Sequence, residues 1–159
     1  MEPGEKLFRT FEDLDVYRAA REFRKSMYCV QKRLPAFEKF ELGSQIRRAA
    51  VSLTNNIAEG HGRYHYLDQV RFTVQARGSL QELIDDLNVC VDEEYLTTQE
   101  VGVLKKKAWQ VYQLLNGYIR FLRSRHQDES GTLKEASHDY SSVAWDAGFD
   151  ANKGEDLPI

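Results

Sequence analysis

A chain of 159 residues with 42% hydrophobic and 11% aromatic side chains is sufficient for one domain with a filled core. Residues 1–126 carry a net charge of +3 and residues 127–159 carry −6, so the overall charge of −3 conceals a basic part and an acidic segment. The chain has neither a signal-peptide pattern nor an apolar run of the roughly 18 residues that a membrane span requires. We therefore expect a cytoplasmic protein.

Cys29 and Cys90 lie in apolar helical patterns, outside any CxxC or Cys/His cluster. Such cysteines are typically buried free thiols of a reducing compartment. We expect two buried thiols, with a disulfide or a metal pair as the alternative.

The first predicted helix starts at Thr10, followed three residues later by a carboxylate, and ends before Pro35. Its apolar residues alternate in steps of four and three, as in the seam of a bundle helix. They are Val16, Ala20, Phe23, Met27, Val30 and Leu34.

The second predicted helix covers about residues 38–59 and ends at Gly60-His61-Gly62. Its apolar seam consists of Leu42, Ile46, Ala49, Ala50, Leu53 and Ile57. Six polar residues recur every three or four positions, centred roughly 100° from the middle of that seam. This polar ribbon, at the flank of the core, is Gln45, Arg48, Ser52, Asn56, Glu59 and Arg63.

Two interpretations of the polar ribbon stay open, and they can coexist. The ribbon can be a hydrogen-bonded seam that sets the register between helices or subunits. Alternatively, Arg48, Arg63 and the neighbouring Arg47 contact phosphates, with Asn55 and Asn56 adding hydrogen bonds.

The third predicted helix covers about residues 67–94, and a capping box at Thr97 and Glu100 opens a fourth that ends near residue 125. Gly78-Ser79 lies inside the third helix, where we expect close approach of another backbone. The three adjacent lysines 105–107 are predicted to be solvated. The predicted seam of the third helix is Leu67, Val70, Val74, Leu80, Leu83, Ile84, Leu87 and Val91, and that of the fourth is Val101, Leu104, Ala108, Val111, Leu115, Tyr118 or Ile119, and Leu122.

Four such helices joined by short links predict an all-α fold, an antiparallel up-down-up-down four-helix bundle over residues 11–126. Residues 1–10 are predicted to be a loose lead and residues 127–159 a disordered acidic tail. Aromatic residues interrupt the acidic background of the tail. Three interpretations stay open: the tail is inert, it folds onto a partner, or it lies across the basic faces of the bundle and competes with RNA.

No catalytic residues, cofactor or metal are predicted. None of the four predicted helices has the Glu-x-x-His unit that di-metal bundles carry in pairs, and glycines interrupt the helix that would align His61 with His65. We expect a protein that is not an enzyme.

Motifs of the first three predicted helices lie at residues 11–14, 16–17, 41–42, 45–49, Ser52, 55–60 and Arg63, extended by Phe72, 76–80 and 82–83. They resemble the four-helix-bundle proteins encoded in bacterial 23S rRNA intervening sequences. The resemblance covers roughly residues 8–125. It implies a non-enzymatic, ring-like homopentamer. It also implies a relationship to the accessory variability determinant of diversity-generating retroelements, a basic bundle that binds nucleic acid and a reverse transcriptase.

Combined with this resemblance, the residues favour an oligomeric accessory protein that binds nucleic acid, RNA before DNA, and that assists a reverse transcriptase. The alternative is a protein-interaction adaptor. The candidate nucleic-acid contacts are Arg47, Arg48, Arg63, Arg71 and Arg77, and the candidate subunit or helix contacts are Gln45, Arg48, Ser52, Asn56 and Glu59.

Overall fold

The computed structural model describes residues 10–129, with side chains through residue 127. Helix α1 spans Asp15–Arg33, α2 Leu42–His61, α3 Tyr66–Asp92 and α4 Thr98–Glu129. Each helix contacts the next along the chain, and α4 closes the bundle against α1. The predicted all-α four-helix bundle is therefore confirmed for the described residues. The predicted lead and the predicted tail lie largely outside them, and α4 continues through residues 127–129 of the predicted tail.

Contacts between helices establish the antiparallel arrangement. Arg24 of α1 donates a hydrogen bond to Thr54 of α2, whereas Gln31, two turns later, lies beside Gly43. Along α3 and α4, the hydrogen bonds from Lys105 to Asn88 and from Arg77 to Asn116 likewise run in opposite chain directions. The order is therefore up-down-up-down.

The core follows the predicted seams of α1, α2 and α4 closely. Phe23, Met27, Leu53 and Leu115 are each 99–100% buried, and between the two options in α4, Ile119 is buried whereas Tyr118 is half-buried. Burying side chains of this size stabilises the bundle by about 1.5–3 kcal/mol each.

The first half of α3 departs from its predicted seam. Leu67 and Val74 are exposed, while Thr73 and Ala76 are buried in their place. Thr73 is accommodated because its hydroxyl donates to the carbonyl of Gln69 at 2.8 Å. The apolar period thus predicted the helix correctly but placed its buried face wrongly in these turns.

Both of the predicted N-terminal caps form, but only the one at Thr97 starts the helix that it was predicted to start. Thr97 and Glu100 form the predicted capping box before α4, with backbone-to-side-chain distances of 2.9 and 3.2 Å. Thr10 and Asp13 also form a capping box, but it closes a 3-10 turn at Phe11–Asp13, and α1 starts after Leu14.

A second 3-10 turn at Ala36–Phe40 replaces the first turn of the predicted second helix. Glu38 in this turn accepts hydrogen bonds from the backbone N–H of Leu42 at 3.2 Å and from the hydroxyl of Tyr95 at 2.8 Å. One carboxylate therefore joins the α1–α2 link to the α3–α4 link at the same end of the bundle.

Neither Gly60 nor Gly78 has the role that the sequence predicted for it. Gly60 is buried inside α2, and a Cβ there would lie 2.8 Å from Cβ of Phe72 on α3, so it permits a close helix crossing instead of ending the helix. Gly78 has open space around its Cα, so the expected close approach of another backbone is absent among the described residues. The helix ends at Gly62.

Two further side chains differ in burial from their predictions. Lys105 is only 6% exposed and donates to the amide oxygen of Asn88 at 2.6 Å, so it is not solvated. Cys90 is buried as predicted, and its thiol pKa is raised to about 11, first by desolvation and then by Asp86 and Glu38. Cys29 is exposed, because its position on α1 faces away from the core seam.

Candidate nucleic-acid interface

The middle of the polar ribbon lies in the seam between α2 and α3. The hydroxyl of Ser79 donates to the hydroxyl of Ser52 at 2.8 Å. Asn56 donates to the carbonyl and the hydroxyl of Ser52, at 2.9 and 3.1 Å. The predicted position at the flank of the core is correct, and this part of the ribbon acts as a hydrogen-bonded seam between helices.

The C-terminal end of the ribbon is also occupied by contacts within the chain. Arg63 forms an ion pair with Glu59, and its guanidinium lies over the ring of Phe72, 4.7 Å from the centroid. The side chain of Gln69 donates to the carbonyl of Arg63 at 2.8 Å. These contacts hold Arg63 against α3, while the side chains of Arg63 and Glu59 both remain about half exposed.

The N-terminal end of the ribbon opens into a groove between α2 and α3, with a volume of about 320 Å³. We name it the α2–α3 groove; it is lined by Gln45, Arg48, Glu82, Asp85 and Asp86. Burial raises the pKa of Asp86 to about 6, with smaller contributions from Asp85 and Glu82. This end is dominated by carboxylates, which disfavour a phosphate beside Arg48.

The five candidate phosphate contacts are not brought together on one surface. Arg47 lies over the ring of Tyr28 on α1, 5.3 Å from its centroid, whereas Arg48 lines the α2–α3 groove on the side of α2 that faces α3. Arg71 is exposed on α3, and Arg77 is half-buried and donates to Asn116 at 2.8 Å. The positions of Arg47 and Arg71 leave their guanidinium groups accessible to solvent.

A more continuous basic surface borders Arg47. Arg21, Arg24, Tyr28 and Lys32 follow one another along α1 in steps of three or four, so they share one side of that helix. Arg24 reaches Thr54 of α2 at 2.7 Å, and Tyr28 lies below Arg47, which places this side next to α2. We name the surface the α1–α2 basic strip, and it consists of Arg21, Arg24, Tyr28, Lys32 and Arg47.

Sequence reasoning named only Arg47 from this strip. A signal was present, because α1 carries six arginines and lysines against two carboxylates, whereas α3 carries two arginines against five carboxylates. Charge counted helix by helix gives α1 the largest net positive charge, +4, ahead of +3 for α4. Only the packing of α1 against α2 shows which of its cations join Arg47.

Within residues 10–127, no three or more His, Cys, Asp or Glu side chains are arranged to hold a metal ion. His61 is half-buried in α2, while His65 is exposed beyond the helix end beside Tyr64. None of the four helices is long and apolar enough to cross a membrane, considering residues 10–129.

Comparison with known proteins gives one family match. A family model described as "23S rRNA-intervening sequence protein" matches residues 12–117, which is more than half of the chain. A comparison with curated proteins finds no match.

Proposed function

Because the chain belongs to the 23S rRNA-intervening sequence protein family, we propose that it is a non-enzymatic accessory protein that binds RNA through the α1–α2 basic strip. The observation that carries this proposal is the grouping of four cations around an aromatic ring on one edge of the bundle. None of these four cations forms an ion pair with a described residue. They are therefore available to phosphates.

The dimensions of the strip suit a polyanion. The 11 helical steps from Arg21 to Lys32 extend about 16 Å along the helix axis, which is long enough to face several consecutive phosphates. Arginine and lysine contacts to phosphates supply affinity without sequence information. The bundle would therefore bind structured RNA chiefly through charge, and its affinity would decrease steeply with salt.

The test compares two pairs of substitutions that remove equal charge. Arg21→Gln with Arg47→Gln removes two cations from the α1–α2 basic strip. Lys106→Gln with Arg120→Gln removes two exposed cations from α4 and is the control. Filter binding to a structured RNA measures the affinity from about 50 to about 200 mM salt, because phosphate contacts weaken strongly over this range.

We expect the strip variant to weaken RNA binding about tenfold at the lower salt and to reduce the salt slope by about two. The control pair should change the affinity less than about twofold. Failure to retain RNA at the lower salt, by the full chain and by a chain ending at Glu129, would reject the proposed function. Equal losses in the two pairs would reject the strip as the contact surface.

As a finer part of this proposal, the protein acts as a homopentamer that assists a reverse transcriptase, which follows from the sequence resemblance. Assembly would multiply the positive charge of the folded part and so strengthen attraction for RNA. Sedimentation of the purified chain tests the assembly. Co-purification with the enzyme from cells, before and after nuclease treatment, tests the partnership.

A protein-interaction adaptor is the second candidate function, and exposed apolar side chains on α4 favour it. Val103, Leu114 and Phe121 are 55%, 38% and 54% exposed. Their spacings of 11 and seven residues place them on one stripe of the helix. A partner that remains bound after nuclease treatment, and that is lost when Phe121 is replaced by Ser, would support this candidate over RNA binding.

A further inference from the structure

A small apolar patch near the end of α4 is left uncovered by the described residues. Leu114, Gly117, Tyr118 and Phe121 occupy positions i, i+3, i+4 and i+7, so they lie on one side of the helix. Leu114 and Phe121 are 38% and 54% exposed, and the ring of Phe121 stacks on that of Tyr118 with the centroids 6.3 Å apart. We name these four residues the α4 patch. An occupant that removes its apolar surface from water would be stabilised there.

Arginines border the α4 patch. A terminal guanidinium nitrogen of Arg120 lies 3.9 Å from the position that a Cβ on Gly117 would occupy. Arg125 follows Phe121 by one helical turn on the same side. Both arginines are exposed, and neither forms an ion pair with a described residue. The α4 patch therefore suits an occupant that combines apolar and acidic side chains.

The carboxylates at the start of α1 are partly compensated and add limited repulsion. Contacts between α1 and α4 run in opposite chain directions, so the start of α1 lies beside the end of α4. There, Asp13 and Asp15 form ion pairs with Arg18, at 3.4 and 3.8 Å. An acidic occupant of the α4 patch is thus compatible with its neighbouring helix.

The segment that follows α4 has the composition that the α4 patch favours. Residues 130–159 contain six carboxylates and two lysines. Four large apolar side chains fall within residues 140–149 of this segment, and they are Tyr140, Val143, Trp145 and Phe149. Asp139, Asp146 and Asp150 are interspersed with them or flank them. Apolar and acidic side chains are therefore combined over a short length of chain.

The covalent link brings this segment within reach of the α4 patch. Phe121 and Leu114 precede Glu129 by about 12 and about 22 Å along the helix axis. Trp145 follows Glu129 by 16 residues, and a coil of that length spans about 20–24 Å on average. Attachment to the same chain gives an effective concentration of about 1 mM, so even a weak contact is sufficient for docking. A separate protein molecule lacks this advantage.

We propose that residues 139–150 dock on the α4 patch of their own chain, with aromatic rings against Leu114 and Phe121 and carboxylates beside Arg120 and Arg125. The contact goes beyond the proposed function, because it involves neither RNA nor the α1–α2 basic strip. Docking covers Phe121, so a protein partner that uses the exposed stripe of α4 must displace the segment. The C-terminal segment is therefore an intramolecular cover for α4.

Acrylamide quenching of Trp145 fluorescence in the full chain tests this contact. The chain has two tryptophans, so Trp109→Phe leaves Trp145 as the single reporter and keeps an aromatic ring against Tyr112. A synthetic peptide of residues 137–152 provides the value for an undocked segment. At an effective concentration of about 1 mM, a contact of millimolar or higher affinity docks at least about half of the chains. Quenching should therefore be about twofold or more weaker in the chain than in the peptide.

Substitutions in this background locate the docking site. Phe121→Ser should shift the docking equilibrium about fivefold or more toward the undocked form, because roughly half of the ring remains to be buried. Arg125→Glu adds a like charge at an exposed position and should weaken docking about twofold. Phe40→Ser is the matched control, since Phe40 is 79% exposed in the 3-10 turn at the other end of the bundle, and it should leave quenching unchanged. Circular dichroism confirms that each variant is folded.

Three outcomes would overturn the inference. Quenching as strong in the full chain as in the peptide would show that the segment is undocked. Equal quenching with and without Phe121→Ser would exclude the α4 patch as the docking site. Quenching that changes over about a tenfold range of protein concentration would show that a second chain provides the contact. The measurements contain no RNA, so they are independent of whether the strip variants support RNA binding.

Discussion

The hydroxyl groups of Ser52 on α2 and Ser79 on α3 lie 2.8 Å apart and form the hydrogen bond at the centre of the seam between these helices. Both side chains are small, so the two helices approach closely at this level. The hydrogen bond satisfies a hydroxyl that burial would otherwise leave without water. The relationship explains why the ribbon at the flank of the core includes a serine, a residue that disfavours helix.

Removing this hydrogen bond should destabilise the bundle modestly, and the effects of substituting the two serines should be coupled. Ser52→Ala and Ser79→Ala are each expected to lower the free energy of unfolding by about 1 kcal/mol. The double variant should lower the free energy of unfolding by less than the sum of the two single variants, with a coupling energy of about 0.5–1 kcal/mol. Urea denaturation of the wild-type chain and the three variants measures these free energies.

Ser124→Ala, at an exposed site near the end of α4, is the control for the cycle and should change stability by less than about 0.5 kcal/mol. Strict additivity of the two seam variants would contradict a direct interaction between the hydroxyls.

Gly60 and Gly78 form a matched pair of substitutions to alanine. At Gly60 the new methyl group would lie 2.8 Å from Cβ of Phe72, so Gly60→Ala should destabilise by about 1–3 kcal/mol through overpacking. At Gly78 nothing lies within 4 Å, so Gly78→Ala should stabilise by about 0.5–1 kcal/mol through helix propensity. Thermal unfolding of both variants measures the difference. A stabilising Gly60→Ala would show that the α2–α3 crossing is wider than described.

The raised pKa of Asp86 predicts a pH-dependent stability. Its folded pKa of about 6 exceeds the ordinary value of 3.8, so the folded chain retains this proton over a range in which the unfolded chain has lost it. Stability contributed by Asp86 is therefore present below pH 3.8 and is lost as the pH rises to about 6. Asp86→Asn removes that loss.

Thermal unfolding of dilute protein between about pH 4 and 7.5 checks this prediction. The gain in unfolding temperature from Asp86→Asn should grow as the pH rises to about 6 and then remain constant. Asp92→Asn makes the same change at an exposed position of the same helix and is the control. A gain that is independent of pH would mean that Asp86 titrates normally in the folded chain.

Removing residues 130–159 should strengthen RNA binding. This segment contains six carboxylates and two lysines, so its deletion changes the net charge from −3 to +1 and leaves α4 intact. We expect the affinity for structured RNA to increase about threefold or more at low salt, since a competing polyanion is removed. Filter binding measures the effect.

A full-length chain in which those six acids are replaced by amides isolates the contribution of charge from that of the aromatic residues. Unchanged affinity after deletion would show that the segment does not compete with RNA.

Helical periodicity was sufficient to predict four helices, the buried seams of α1, α2 and α4, the capping box at Thr97 and the ribbon beside the α2 seam. These features depend on the angle at which a residue projects from its own helix, and sequence spacing sets that angle. The family resemblance rests on the same stretch of α2 and is confirmed by the match over residues 12–117.

Other features depend on which helix lies next to a given residue and how closely it approaches. Only the tertiary structure showed that Gly60 permits the close crossing, that Leu67 is exposed, and that Lys105 is buried against Asn88. It also separated Arg47 from Arg48, placing one beside the cations of α1 and the other beside the carboxylates of α3. Adjacent residues on a helix project about 100° apart, so neighbours in sequence face different helices, and the charge of those helices decides what each residue can bind.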